Sequence, residues 1–169
     1  MGVNDAGTIS SSYALGSIAL HKTGSDAGGL VGYNDGLIEN SFARTRVIAG
    51  KQEGQSLFGG LVGENHTHGQ ITSSYAAGEM KIKSAGRAGG VIGQDDSVAG
   101  NVQHAYWNLD LGISNPSQGA GNIPNDPGIT GLTTTQFQSK LPKGFDPKIW
   151  GSDPKINNGY PYLLANPPR

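Results

Sequence analysis

A five-residue block, Gly-Gly-Leu-Val-Gly, stands at residues 28–32 and again at 59–63, and returns as Gly-Gly-Val-Ile-Gly at 89–93. A chain copied at so regular an interval builds its core by stacking like residues on like, each unit burying its apolar face against the next. The pattern therefore constrains the fold before any single residue does, and it moves the search for function to the surface. Gly29, Leu30 and Gly32, Gly60, Leu61 and Gly63, and Gly90, Val91 and Gly93 are the structural positions of the block.

The block sits in a longer unit. Opening glycines at Gly7, Gly36, Gly69 and Gly100 are spaced 29, 33 and 31 residues apart. Two residues after each stand Ile9, Ile38, Ile71 and Val102, and six after each stand Tyr13, Phe42, Tyr75 and Tyr106. Ala14, Ala43 and Ala76 follow the aromatics, with Trp107 breaking that column. β-Branched and aromatic columns of this kind predict a first strand in each unit. A second strand is expected where Ile18 and Leu20, Val47 and Ala49, and Met80 and Ile82 alternate with polar residues. The Gly-Leu-Val-Gly blocks are expected to form the third strand and its corner, with glycine supplying positive φ. After each block comes Asn4, Asn34, Asn65 or Asp95, a column suited to a stacked, hydrogen-bonded turn ladder. The sequence leaves open whether Ser11, Asn40 and Ser73 or Ser12, Ser41 and Ser74 face inward.

Three strands per unit predict an all-β, right-handed parallel β-helix (β-solenoid) of about four coils over residues 1–107, rising about 4.8 Å per coil. Such a stack leaves sheet edges at its ends that need pairing or covering. Unequal connections at His21 to Ala27, Gly50 to Phe58 and Ser84 to Arg87 are expected to protrude as loops. After Trp107 the register is lost, and residues 108–169 read as a loop-rich capping segment. One short helix is expected over Thr133 to Gln138, with a threonine N-cap and Pro142 beyond its end. Phe145, Ile149, Trp150, Tyr160, Tyr162, Leu163 and Leu164 supply apolar bulk for covering the last coil.

Composition excludes several classes. The 28 glycines in 169 residues exceed the usual share of about 7%, but they do not recur every third residue, so collagen is excluded. Twelve basic and thirteen acidic side chains nearly cancel, without long runs of one sign, so nothing points to nucleic acid or an anionic membrane. The chain has no cysteine, hence neither disulfides nor thiolate chemistry. No apolar run is long enough for a bilayer-spanning helix, so membrane insertion is not expected. The opening residues are not a signal peptide, and because residues 2–7 match the middle of a repeat, the natural chain is expected to begin upstream.

Gly-Leu-Val-Gly at 29–32 and 60–63 and Gly-Val-Ile-Gly at 90–93, set among copies of Gly-x-Ile-x-x-Ser-Tyr-Ala and its variants, resemble the GLUG repeat of bacterial surface proteins. Ala-Tyr-Trp-Asn at 105–108, Gly-Leu-Thr-Thr-Thr-Gln-Phe at 131–137, Gly-Phe-Asp at 144–146, Trp150 and Gly-Tyr-Pro-Tyr-Leu at 159–163 are similar to segments that follow such repeats in filamentous-haemagglutinin-like adhesins. The resemblance implies export across the outer membrane of a Gram-negative bacterium through a transporter partner. It also implies a secreted or cell-surface location and a β-helical shaft displaying adhesive regions. Repeat resemblance specifies architecture more closely than activity.

Four residues are candidate binding positions. Leu57 and Phe58, where polar residues would be expected, form a small adhesive patch or tuck beneath the coil. Asp95 and Asp96 stand beside a turn, and with Asp5, Asp35 and Glu64 they form a possible carboxylate column of the sort that holds calcium against an acidic sugar. Asn and His interrupt that column, which favours solvated turn residues. His66 and His68 share a face if extended, but no third ligand is identifiable and their surroundings read as a turn. Asn65-His66-Thr67 matches a glycosylation acceptor. No nucleophile elbow, phosphate loop, zinc-protease or dinucleotide signature is present, and no catalytic residue, metal or cofactor is assigned.

The expectation is a noncatalytic adhesin fragment that binds a host-cell glycan or protein, or another bacterial surface, through loops and strand faces. The alternatives are a polysaccharide-binding or polysaccharide-degrading β-helix protein and a purely structural spacer.

Overall fold

The computed structural model describes residues 2–20, 24–50, 56–83 and 86–168. The first coil contains β1 (Val3–Asn4), β2 (Thr8–Ser10), β3 (Tyr13–Leu20) and β4 (Asp26–Gly28). The second repeats it as β5 (Val31–Asn34), β6 (Leu37–Glu39), β7 (Phe42–Ala49) and β8 (Leu57–Gly59). The third does so as β9 (Val62–Asn65), β10 (Gln70–Ala76), β11 (Met80–Ile82) and β12 (Arg87–Gly89). A fourth begins with β13 (Ile92–Asp95) and β14 (Val102–Asn108). Corresponding strands pair in parallel from coil to coil, β1 with β5, β9 and β13 in one sheet and β4 with β8 and β12 in another. This is the expected parallel β-solenoid, with three full turns and an incomplete fourth.

The registers reproduce the sequence columns. Ile9 pairs with Ile38 and Ile38 with Ile71, then Ile71 with Val102. Val47 lies between Ile18 and Met80 in the second strand. The third strand falls elsewhere than expected: Asp26–Gly28, Leu57–Gly59 and Arg87–Gly89 precede the Leu-Val-Gly segment, which makes the corner and opens the next coil.

The glycines of the block are required by proximity, not by φ. A methyl group on Gly63 would lie 2.5 Å from the Gly32 carbonyl oxygen and 2.7 Å from the Ala27 amide nitrogen. Gly60 would meet the Ala76 methyl at 2.8 Å, and Gly90 lies directly against the Trp107 indole. Positive φ occurs instead at a column of non-glycine residues, Ser11 (47°), Asn40 (45°), Ser73 (46°) and His104 (51°). That single left-handed residue turns the chain and resets which side chains face in.

The reset has two consequences. Ile38, Ile71, Ala43 and Ala76 line the interior with Leu30, Leu61, Val31 and Val62. Ser41 and Ser74 are buried, and the hydroxyl of each accepts the backbone N–H of the serine one coil earlier, from Ser12 to Ser41 and from Ser41 to Ser74, both at 3.1 Å. The inward serines are therefore Ser12, Ser41 and Ser74. The aromatic column faces outward: Tyr13, Phe42 and Tyr75 stack at centroid spacings of 5.0 Å on the outside of the coil.

The chain after Trp107 keeps the register that the sequence conceals. Ala120 bridges Ile92 in parallel, and β15 (Ile129–Leu132) pairs with β14. Asn122 replaces a backbone rung with its side chain, accepting the Asp95 N–H through Oδ1 at 2.7 Å and donating Nδ2 to the Asp95 carbonyl at 2.8 Å. Helix α1 (Thr134–Ser139) follows, with a capping box between Thr133 and Gln136. Short strands β16 (Trp150–Gly151) and β17 (Tyr162–Leu163) pair antiparallel.

This last segment covers the flank of the solenoid, where a cover for the last coil was expected. Phe137, Phe145, Trp150, Tyr160 and Leu163 bury the outward column of Phe42, Tyr75 and Tyr106. Tyr75 donates its hydroxyl to the Pro161 carbonyl at 2.6 Å and accepts from Asn157 Nδ2 at 2.9 Å, and burial pushes its phenol far above the ordinary range. Arg44 lies over the Tyr160 ring and donates to Asn157 Oδ1 at 2.8 Å.

Candidate functional site

Beside the covered aromatics, the outer face of the same sheet stays open. Alternation in β6, β10 and β14 places Ile38, Ile71 and Val102 inside, so their neighbours point out: Leu37, Gln70 and Asn101 on one side, Glu39, Thr72 and Gln103 on the other. A depression of about 350 Å³ runs over Gln70, Thr72, Asn101 and Gln103. It shares Gln103 with a second of about 260 Å³ that also contains His104, Tyr106, Thr130 and Lys143. A third, of about 400 Å³, takes over at Tyr106, Thr130 and Lys143 and continues to Gln136 and Lys140 beside α1. Together they form a shallow groove across successive rungs, with amide and hydroxyl groups over β10 and β14 and a mainly apolar end beside α1, where Leu132, Leu141 and Pro142 join the lysines.

The C-terminal segment fixes that end. Tyr106 donates its hydroxyl to the Lys143 carbonyl at 2.8 Å, and Ser73 Oγ donates to the Gly144 carbonyl at 2.9 Å. Gly144, at φ +83°, lies against the His104 ring where no side chain would fit. Gln103 Nε2 donates to the Gly100 carbonyl at 2.9 Å, which holds the amide across the groove floor. The groove residues were readable only as the polar half of an alternating strand. That they adjoin Lys140 and Lys143 depends on how the last segment docks, for which the sequence has no marker.

The residues singled out from sequence are placed differently. Phe58 is fully buried against Val47, Ala49 and Ala27, and Leu57 is half-buried beside it in β8, so they do not form an exposed adhesive patch. Residues 51–55 of the expected loop, and 21–23 and 84–85 of the other two, lie outside the described residues. Asp95 is buried where a solvated residue was expected: it ends a ladder in which Asn4 Nδ2 donates to Asn34 Oδ1 at 2.7 Å, Asn34 to Asn65 at 2.8 Å and Asn65 to Asp95 at 3.0 Å. Asn65 has no exposure and its Nδ2 is committed to Gly69 and Asp95, so the sequon is inaccessible in the folded chain.

The expected carboxylate column does not assemble as one column: Asp35, His66 and Asp96 occupy successive rungs, Glu64 lies in another column between Tyr33 and Gln94, and Asp95 belongs to the buried asparagine ladder. Asp96 is exposed and accepts from Gln94 Nε2 at 2.6 Å, while Gln94 in turn accepts from Arg87. His66 and His68 flank a turn and both reach back to Asp35, which accepts the His68 N–H at 2.8 Å and lies 3.2 Å from its Nδ1 and 3.5 Å from His66 Nδ1. The His68 hydrogen bonds hold Asp35 below the usual carboxylate range. Glu64 is pushed up by burial and by Asp26 and Asp96. Among the described residues no group of three acidic, histidine or cysteine side chains is arranged to hold a metal ion.

Fold and groove define a glycine-rich parallel β-solenoid with a shallow surface channel. Residues 23–48 match the family model described as the GLUG motif. Over 112 residues, 63% of this chain, the sequence is 32% identical to a protein of Evansella cellulosilytica named "Putative Gly-rich membrane protein". The chain spans only 13% of that relative's length. No solved structure matches the chain. No helix among the described residues is long and apolar enough to cross a membrane.

Proposed function

We propose that this chain is a noncatalytic carbohydrate-binding segment of a bacterial cell-surface protein, of the filamentous-haemagglutinin-like adhesin type, with the groove over β10, β14 and β15 as its ligand site. One observation carries the reading. Rigid parallel rungs present Gln70, Thr72, Gln103 and Thr130 in an open channel beside Lys140 and Lys143. Amides and hydroxyls both donate and accept, as sugar hydroxyls require, and a rung spacing of about 4.8 Å is near the pitch of a saccharide chain. The channel's depressions fall near the usual range of about 300–1,000 Å³ for ligand sites. The lysines favour a glycan bearing carboxylate or sulfate.

Envelope display agrees with the printed name of the Evansella relative. A host-cell glycan, or the glycan coat of another bacterium, is the partner this chemistry fits, and an outer-membrane transporter is the export partner of the longer protein in this reading. A glycan and matrix-protein array probed with the chain and with a Gln70→Ala, Gln103→Ala, Thr130→Ala variant tests it. Binding to acidic glycans that falls at least tenfold in the variant is expected, with Lys143→Ala weakening the acidic glycans selectively. Equal binding by the variant would overturn the site assignment. Binding to nothing on the array would favour a spacer, and depolymerisation of an acidic polysaccharide in the presence of calcium would favour an enzyme.

A further inference from the structure

A second cleft opens on the fourth coil, between the turn that follows β13 and the Asn122–Gly128 loop. Its volume is about 190 Å³, its walls include Val98, Val102, Ile123 and Pro127, and two carboxylates, Asp95 and Asp126, line it. Val98 and Ile123 are large hydrophobic residues left 59% and 37% exposed at its mouth.

Asp95 departs from the repeat. The same position carries asparagine in the first three coils, and an asparagine oxygen serves equally well to accept from Asn65 and from the Ser97 N–H. Both of those bonds go to Oδ1, and Oδ2, which is not sealed from solvent although the residue is only 5% exposed, takes no hydrogen bond among the described residues. Asp126 is only partly buried; its Oδ1 accepts the Gly128 N–H at 2.8 Å and its Oδ2 has no partner among the described residues. Burial raises the Asp126 pKa against the lowering effect of the Gly128 N–H bond, and the Asp95 charge adds a smaller rise. Among the described residues no lysine, arginine or histidine forms an ion pair with either group.

Two close carboxylates without a counter-charge, framed by apolar walls, call for a cation with an apolar body. A divalent metal ion is a poor match, because calcium takes six to eight oxygen ligands and gains nothing from valine and isoleucine walls. We propose that this cleft binds a primary alkylammonium group, either a lysine side chain of a partner protein or a free aliphatic amine. The ammonium sits between Asp95 and Asp126, and the methylene stem lies against Val98 and Ile123.

Titration of the isotope-labelled full chain, followed by amide NMR, tests this with n-butylammonium chloride, a lysine-containing tetrapeptide, and sodium and calcium chloride at matched ionic strength. Saturable shifts confined to residues around Ser97, Val98, Ile123 and Gly128 are expected with both amines. Asp95→Asn, which restores the repeat residue and keeps the ladder, should weaken both at least tenfold without lowering the melting temperature. Asp126→Asn should do the same, and Val98→Ser should weaken butylammonium by several-fold. The tetrapeptide saturating at far lower concentration identifies a protein lysine as the source, and equal affinities identify a free amine. Shifts that persist in both Asp variants, or saturation by calcium without saturation by amines, would overturn the proposal.

Discussion

At the scale of the residue, most positions in this chain answer to the rung above and the rung below. Gly63 illustrates it, since the added methyl would meet backbone atoms that neighbouring coils fix in place. Overpacking of that kind costs about 1–3 kcal/mol, and for a chain of this length each kcal/mol moves the melting temperature by about 2–4 °C. Gly63→Ala should therefore melt several degrees lower. Gly50→Ala, where a methyl would meet nothing and φ is not positive, should lie within about 1 kcal/mol of the parent. Equal melting of the two variants would contradict the close-approach account. Asp35 gives a residue-scale prediction in pH. Its pKa is depressed in the folded chain, so its contribution is present above the unfolded value of about 3.9 and is lost as pH falls through the folded value. Asp35→Asn can still accept the His68 N–H, and it should lower the melting temperature at pH 6 but converge with the parent near pH 2. A constant difference across that range would remove the carboxylate's charge from the explanation. The glycine, asparagine and isoleucine columns were legible because stacking repeats them. The left-handed column was not, because serine, asparagine, serine and histidine at Ser11, Asn40, Ser73 and His104 announce no common φ.

Elements show where legibility stops. The second strand and α1 follow from alternation and from a threonine N-cap with a proline beyond the helix end, all local signals. Two rungs after Trp107 escape because the unit is truncated: Gly119-Ala120-Gly121-Asn122 keeps only the small residues and the asparagine of the block. The docking of the last segment escapes for another reason. Phe137, Phe145, Trp150 and Tyr160 advertise burial without an address, and the address is an aromatic column that faces outward only because of the left-handed reset. Trp150 joins the two, tilted against Phe42 and Tyr75, stacked on Phe145 at 4.5 Å and donating Nε1 to Asn40 Oδ1 at 3.3 Å. Trp150→Ala should cost about 3–5 kcal/mol. The loss should begin in the C-terminal segment: hydrogen exchange should accelerate for amides of α1 and β16 while Val62 and Ile92 keep most of their protection. Simultaneous loss at both places would mean that the flank and the solenoid unfold as one unit.

For the whole molecule, the question is which part of the stack is rigid enough to hold a ligand. A solenoid's stability is close to a sum over coils and their interfaces, so a coil with one neighbour frays before a coil with two. In the isolated 169-residue chain the first coil is in that position. The outer face of β3 is largely exposed, Val3 and Leu15 are 56% and 49% exposed, and Asn4 Oδ1 receives no ladder bond among the described residues, whereas Val31, Val62 and Ile92 are completely buried. The far end is different, because Asn122, the Ala120 bridge and β15 extend the fourth coil, and the aromatic buttress ties β7, β10 and β14 together from outside. Exchange protection should accordingly rise from β2 and β3 to a maximum at β9, β10 and β14. A profile flat from the first coil to the fourth would refute the additive picture. The gradient bears on function because Gln70, Thr72, Gln103 and Thr130 sit on β10, β14 and β15. A groove made of shallow hydrogen bonds binds usefully only if its donors and acceptors are already in place, since ordering them on contact would consume much of the affinity. The most protected coils should therefore be the ones that carry the ligand, and a variant that loosens the buttress, such as Trp150→Ala, should weaken glycan binding although Trp150 lines none of the groove.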